Sequence, residues 1–157
     1  MLRIGLTGGI GTGKSAASKI LEKLGAYIFD ADKEAKRILL SNETIKSELI
    51  SEFGSDIMTG DGNVDNNKLA RVAFQDQDHQ LKLNTIVHPY VFKEIDKNFD
   101  RELDNGKHDI FVVDAALVYE SGADTHMDYV IVITALIKTR MERALARETL
   151  SREEILK

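Results

Sequence analysis

A glycine-rich stretch near the start of the chain, GLTGGIGTGKSAA over residues 5–17, constrains the fold more than any other feature. The short apolar run Leu2–Thr7 before it is typical of a buried strand. After it, apolar residues recur at helical spacing from about Lys14 to a stop at Gly25. A strand, a glycine loop and a helix in this order form the setting in which backbone amides bind phosphate. The sequence therefore predicts an anion site at the end of the first strand.

The spacing Gly8-x-x-x-x-Gly13-Lys14-Ser15 matches the phosphate-binding loop (P-loop) at every required position. Glycines let successive backbone N–H groups converge on one anion, and the following helix adds the positive end of its dipole. We expect Lys14 to reach the β- and γ-phosphates of a nucleotide and the Ser15 hydroxyl to bind Mg²⁺. The alternative is a glycine-rich turn with an incidental lysine.

A looser pattern overlaps the same residues. Gly11-x-Gly13-x-x-Ala16 satisfies the dinucleotide-binding fingerprint, and Asp30 ends the next predicted strand, where a ribose-binding acid would lie. That alternative gives the Lys-Ser pair no role and leaves no second half of the chain for a substrate. A small GTPase would need Asn-Lys-x-Asp, and the Asn-Lys that starts at Asn67 lacks the final acid.

Strand and helix signals alternate along the chain, which predicts an α/β fold with a parallel sheet and helices on both faces. Residues 109–114 and 129–134 have the continuously apolar cores IFVV and YVIVI, which predict strands covered on both sides. Asp114 ends the first of these, and we expect it to act on Mg²⁺ directly or through water, with a loop-capping aspartate as the alternative. Asp30 and Asp32 follow an earlier strand. We assign Asp30 to capping the next helix and Asp32 to orienting an acceptor hydroxyl and taking its proton.

Three arginines, Arg140, Arg143 and Arg147, share one face of a helix predicted from about residue 137 to 148. A solvated charged face is one interpretation. Stacked cations with no acid on the same arc of the helix repel one another, however, and a phosphate ligand would relieve that repulsion. A mobile arginine-bearing lid would also exclude water from the nucleotide.

Composition limits the partners. The 157 residues fit one domain, and a net charge of −5 from 21 basic and 26 acidic residues indicates no general nucleic-acid surface. The chain has no cysteine, hence no disulfide, and its start does not resemble a signal peptide. We therefore expect a cytoplasmic protein without nucleic-acid or membrane partners.

With these parts in place, the chain resembles the dephospho-CoA kinase family from Leu2 to Lys157. The segments that carry the resemblance are IGLTGGIGTGKS, the DAD of residues 30–32, DGNVDNNKLARVAF, His88-Pro89, VVDAALVYE and TRMERALARE. It implies a three-layer P-loop kinase fold in a single domain over residues 1–157, with a core at about 1–40 and 105–137. A helical acceptor-binding region would span about 41–104 and a lid about 138–157. In the family, the chain continues past residue 157 with the rest of the lid and a final strand.

The resemblance also implies an activity, the ATP-dependent phosphorylation of the ribose 3′-hydroxyl of dephospho-CoA, with Mg²⁺ accompanying ATP. By this resemblance Asp32 matches the catalytic base and Arg147 the lid arginine near the transferred phosphate, while Arg143 is a further phosphate contact. His88 and Lys36 match positions near the acceptor. The ATP-binding residues would be Gly8, Gly9, Ile10, Gly11, Thr12, Gly13, Lys14, Ser15 and Ala16.

Several positions depart from the family pattern. Ala16 replaces the usual Thr, Lys36 and Asn66 stand where Arg is common, Ala115-Ala116 replace Pro-Leu, and Arg140 replaces Gln. Two other functions therefore stay open: a nucleotide-binding protein without kinase activity, and a P-loop kinase for another small acceptor.

Overall fold

The computed structural model describes residues 1–146, which form two compact units. One unit contains Met1–Asp30 and the chain from Asn98 onward, and the other contains Ala31–Lys97. We call them the sheet unit and the helical unit. Arg147, the predicted lid arginine, lies outside the described residues.

The sheet unit contains four parallel strands in the order β2-β3-β1-β4. These strands are β1 (Leu2–Thr7), β2 (Tyr27–Asp30), β3 (Ile110–Asp114) and β4 (Tyr129–Val132). Helices α1 (Lys14–Lys23) and α6 (Ile137–Ala146) belong to the same unit, with a short 3₁₀ turn at Ala123–His126. The predicted α/β architecture with a parallel sheet is confirmed, and all four strand ends that precede loops lie at one edge.

Strand β3 forms the centre of this unit. Phe111, Val112 and Val113 are fully buried, and the Phe111 ring stacks on Tyr27 with ring centroids 5.2 Å apart and meets Phe99 edge-on at 5.4 Å. The expectation of a strand covered on both faces is therefore correct for β3.

The same expectation is wrong for β4. Tyr129 is 65% exposed and Val132 49% exposed, and within the described residues β4 pairs on one side only, with β1. An apolar run of this kind predicts a strand but does not report whether the strand lies at the centre of a sheet or at its edge.

The helical unit contains α2 (Ala31–Ser41), α3 (Glu43–Phe53), α4 (Asn66–Ala73) and most of α5 (Gln77–Asn105). Asn42 and Asp65 accept backbone N–H bonds at the starts of α3 and α4, as good N-cap residues do. The segment between α3 and α4 contains a 3₁₀ turn at Ser55–Ile57 and an antiparallel bridge between Met58 and Val64.

Helix α5 is continuous from Gln77 to Asn105, with Pro89 inside it. Among the described helices, none is both long enough and apolar enough to cross a membrane.

Candidate functional site

The loop between β1 and α1 has the tight turns that its glycines permit. Gly11 has φ +75° and Gly13 φ +103°, in the region that residues with a Cβ rarely adopt. Thr12 is buried and closes the turn, because its backbone N–H and its hydroxyl both donate to the Gly9 carbonyl, at 3.2 and 2.8 Å. These contacts give the loop a defined backbone path.

Neighbouring strand ends hold the loop at the carboxyl edge of the sheet. The Ile133 N–H donates to the Thr7 carbonyl at 2.8 Å, and the buried Thr7 hydroxyl donates to the Ala116 carbonyl at 3.0 Å. The Ala115 N–H donates to the Leu6 carbonyl at 3.1 Å. The segments that follow β3 and β4 are thus tied directly to the end of β1.

The two charged residues predicted to flank the nucleotide phosphates meet at this edge. Lys14, the first residue of α1, donates a hydrogen bond through its ammonium to the Asp114 carboxylate, the last residue of β3. Their side chains are 20% and 12% exposed, so the pair is largely screened from water. Asp30, the last residue of β2, lies beside Asp114 in the parallel register and directly before α2.

A cleft of about 640 Å³ opens at this place in the sheet unit. This volume is typical of small-ligand sites. Its lining residues are Thr7, Gly8, Gly9, Ile10, Gly11, Gly13, Lys14, Ser15, Ala116, Leu117, Tyr119, Glu120, Val132 and Arg140. No binding role was predicted for Leu117, Tyr119 and Glu120, although their position shortly after β3, at the edge that carries the loop, was a usable signal.

The residues of this cleft fit a nucleotide phosphate and a hard divalent cation. A Cβ on Gly8 would lie 2.6 Å from the Ile133 carbonyl oxygen, so the loop path requires glycine there. The Ser15 hydroxyl and the Asp114 carboxylate are the oxygen donors that Mg²⁺ prefers. Among the described residues no three His, Cys, Asp or Glu side chains group as a metal site.

Two of the three predicted arginines contact the loop itself. Arg140 Nε donates to the Ile10 carbonyl at 2.9 Å. Arg143 Nη1 lies 3.2 Å from the Gly11 carbonyl and 3.3 Å from the Thr12 carbonyl. The donors of these two side chains bond to backbone oxygens of the loop, although Arg143 itself is exposed.

Asp32, Lys36 and His88 belong to the helical unit. Asp32 is exposed in the first turn of α2, and Lys36 is exposed one turn further on the same side. His88 is partly buried in α5 with its ring 6.0 Å from that of Phe92. Burial lowers the pKa of His88 below its usual value, so this imidazole is neutral near pH 7.

Comparisons with known proteins agree with this geometry. The family model of dephospho-CoA kinase matches residues 2–157. The dephospho-CoA kinase of Carboxydothermus hydrogenoformans is 39% identical over 98% of this chain and 74% of its own length. That of Fusobacterium nucleatum subsp. nucleatum is 38% identical over 96% of this chain and 75% of its own.

Solved structures give the same result in three dimensions. The crystal structure of TT1252 from Thermus thermophilus superposes with a TM-score of 0.81 at 30% identity, covering 99% of this chain and 76% of that one. The dephospho-CoA kinase from Campylobacter jejuni superposes with a TM-score of 0.67 at 26% identity, covering 98% and 76%. The family match over nearly every residue and relatives of this identity show that the chain belongs to the dephospho-CoA kinase family.

Proposed function

We propose that this protein is an ATP-dependent kinase that phosphorylates the ribose 3′-hydroxyl of dephospho-CoA, giving coenzyme A and ADP, the last step of coenzyme A biosynthesis. The observation that carries the proposal is a cleft lined by the glycine loop and by Lys14, which pairs with Asp114, in a chain of this family. The kinase family implies ATP as the phosphoryl donor.

The loop and Lys14 would bind the donor. Backbone N–H groups that line a glycine loop, together with the N-terminus of α1, favour a polyphosphate. Lys14 would leave Asp114 and move its ammonium onto the β- and γ-phosphate oxygens, exchanging one anionic partner for another. Its positive charge would then offset the charge on the transferred phosphoryl group.

Ser15 and Asp114 would hold Mg²⁺, Asp114 directly or through water. When bound, the ion supplies positive charge to the phosphate oxygens.

Asp32 would act on the acceptor. Its carboxylate would orient the ribose 3′-hydroxyl and accept its proton as that oxygen bonds to the γ-phosphorus and the bond to the β,γ-bridging oxygen breaks, releasing ADP. Lys36 and His88 would contact the same substrate, Lys36 through its charge and His88 as a neutral hydrogen-bonding ring. The region at about 41–104 would enclose the acceptor.

Arg143 and Arg147 would reach phosphate oxygens from the lid at about 138–157, and residues Gly8 to Ala16 would supply the rest of the ATP site. The reaction needs neither a nucleic acid nor a membrane, and we place it in the cytoplasm. Fractionation of cells that express a tagged chain tests that location.

An acceptor panel tests the activity. Purified protein is given ATP, Mg²⁺ and one of dephospho-CoA, CMP, AMP or shikimate, while ADP release is followed and the phosphorylated product is identified by mass. We expect ADP release that depends on dephospho-CoA and a product carrying one added phosphate on the ribose. If release is no faster with dephospho-CoA than with the other acceptors, the proposal fails, and a preference for another acceptor identifies a different small-molecule kinase.

A further inference from the structure

A single residue of α6, Arg140, touches three consecutive positions of the phosphate loop. Its Nε donates to the Ile10 carbonyl at 2.9 Å. Its guanidinium lies over Gly9, where a Cβ would approach Nη2 to 2.6 Å. Its own backbone lies against Gly11, where a Cβ would come within 2.5 Å of the Arg140 carbonyl oxygen and 2.9 Å of its Cα. The loop therefore packs directly against the first turns of α6.

These contacts determine which way the loop amides point. A trans peptide unit is planar and its C=O and N–H point in opposite directions, so a carbonyl directed at Arg140 turns the next N–H away from it. The bond to the Ile10 carbonyl thereby aims the Gly11 N–H at the opposite side of the loop. In the same way, the bond from Arg143 to the Thr12 carbonyl turns the Gly13 N–H away from α6.

The amides oriented in this way are available for an anion. Among the residues that the structure describes, neither the Gly11 N–H nor the Gly13 N–H donates to an acceptor within the protein. Gly11 and Gly13 also line the cleft. An arginine has only donors and keeps its charge at every working pH, so its bond to a carbonyl is strong and one-directional.

We propose that Arg140 is a positioning residue that holds the phosphate loop in its anion-binding form from the side of α6. Its guanidinium fixes the Ile10 peptide while the α6 backbone supports Gly11, so that the N–H groups of the loop are pre-arranged before a nucleotide arrives. Arg140 would therefore strengthen the binding of ATP and of ADP alike, because both carry phosphates that the loop binds. This inference rests on the proposed function only in taking a nucleotide as the ligand.

The test compares three variants of Arg140 in the full chain, with ATP and ADP affinities measured by calorimetry without any acceptor. Arg140→Met keeps length but removes donors and charge, Arg140→Lys keeps charge without the planar fork, and Arg140→Gln keeps a neutral N–H donor. We expect Arg140→Met to weaken ATP and ADP binding by the same factor, roughly tenfold, as for loss of a charge-assisted hydrogen bond. Arg140→Gln should recover part of the affinity that Arg140→Met loses. The kcat of both variants should stay within about threefold of the parent value.

Lys138→Met provides the matched control, because it removes a cation from an exposed position two residues earlier on α6. It should leave both affinities near those of the parent protein. Equal affinities for the parent and Arg140→Met would overturn the proposal. So would a kcat lowered more than about tenfold with ADP affinity unchanged, which would assign Arg140 to the transferring phosphoryl group.

A second variant keeps the proposal testable if Arg140→Met does not fold. Gly9→Ala displaces the guanidinium while leaving Arg140 in place, and it should weaken ADP binding on its own. Combined with Arg140→Gln, it should cost less than the sum of the two single changes, because residues in contact are coupled. Normal ADP binding by Gly9→Ala, or strict additivity, would overturn the proposal. Failure to phosphorylate dephospho-CoA would leave these binding results intact and would count only against the proposed function.

Discussion

Lys14 and Asp114 are 100 positions apart in the sequence, and their side chains form a largely buried ion pair at the carboxyl edge of the sheet. Lys14 begins the helix after the glycine loop, and Asp114 ends the central strand. The lysine expected to bind phosphate thus has an anionic partner within the protein when no nucleotide is present. If Lys14 moves onto a nucleotide phosphate as proposed, the Asp114 carboxylate needs another cation, a role that Mg²⁺ would fill.

Asp114→Asn should lower both stability and activity. The amide cannot balance the charge of Lys14, and we expect a loss of about 1.5 to 3 kcal/mol in the free energy of unfolding, as for a hydrogen bond to a charged group. Urea unfolding without nucleotide measures this loss. The variant should also show a smaller Mg²⁺-dependent increase in Tm with ATP than the parent protein.

Asp109→Asn is the matched control, since Asp109 is exposed and directly precedes the same strand. It should change stability by less than about 0.5 kcal/mol. An Asp114→Asn protein as stable as this control would show that the ion pair contributes nothing to the folded state.

Asp32→Asn should abolish phosphoryl transfer while ATP affinity changes by no more than about threefold, because the carboxylate acts on the acceptor. Single-turnover transfer and calorimetric ATP binding are measured together. Asp78→Asn is the control and should retain activity, because Asp78 is likewise an exposed acidic residue in the first turn of a helix, α5. Loss of ATP binding by Asp32→Asn would instead place Asp32 on the donor side.

Gly11→Ala should damage the protein more than Gly25→Ala. Both glycines have positive φ, +75° and +95°, so alanine costs about 1 kcal/mol or more at either. A Cβ at Gly25 meets nothing within 4 Å, whereas at Gly11 it would collide with the Arg140 backbone at 2.5 Å. The excess loss of stability and of ADP affinity in Gly11→Ala measures the close approach of α6. Equal effects in the two variants would rule out that contact in solution.

His88 should make the folded state less stable in mild acid. Burial lowers the pKa of His88 below 6.5, so the unfolded chain binds this proton at a higher pH than the folded chain does. Its contribution to stability is therefore full above pH 6.5 and is lost as the pH falls through the pKa of the folded state. Urea unfolding of the parent and His88→Gln from pH 8 to pH 5 measures this, because the other titrating groups cancel in the difference. If the stability of the two proteins changes with pH in the same way, this prediction is contradicted.

Glu102 should affect stability but not catalysis. Its carboxylate is 7% exposed and accepts from Arg101 Nε at 3.3 Å and pairs with His108 Nδ1 at 3.1 Å. This cluster lies near the start of β3, whereas Asp114 lies at its end. Glu102→Gln should cost about 1 to 3 kcal/mol in urea unfolding with kcat unchanged. Asp104→Asn, at an exposed position of the same helix, should leave the free energy of unfolding almost unchanged. A large fall in kcat for Glu102→Gln would refute the prediction that Glu102 acts on stability alone.

Local patterns predicted most of the fold. The run Leu2–Thr7 is strand β1 as expected, and α1 starts at Lys14, where the helical spacing begins. These elements were predictable because neighbouring residues determine period and capping. Strand β4 was predicted as a strand but not as one with exposed side chains, because burial depends on which strands pair in the sheet.

Some features of the candidate site were likewise predictable from the sequence, and others were not. The glycines, Lys14 and Ser15 were predictable because they follow one another along one loop and its helix. Asp114 was placed at the same sheet edge because parallel strands end there. Two facts required the register of β1 with β3: that Asp114 pairs with Lys14, and that Ala116, Leu117, Tyr119 and Glu120 line the cleft.

The sequence by itself determined that a phosphate loop lies between a strand and a helix, since φ preferences and hydrophobic period act over a few residues. Only the tertiary structure decided what Arg140 does. Its position on one helix face could be inferred from spacing, but it bonds to the carbonyl of Ile10 and lies over Gly9, 130 and 131 positions earlier. Such a contact depends on how strands and helices pack together, and packing of distant segments leaves no period in the sequence.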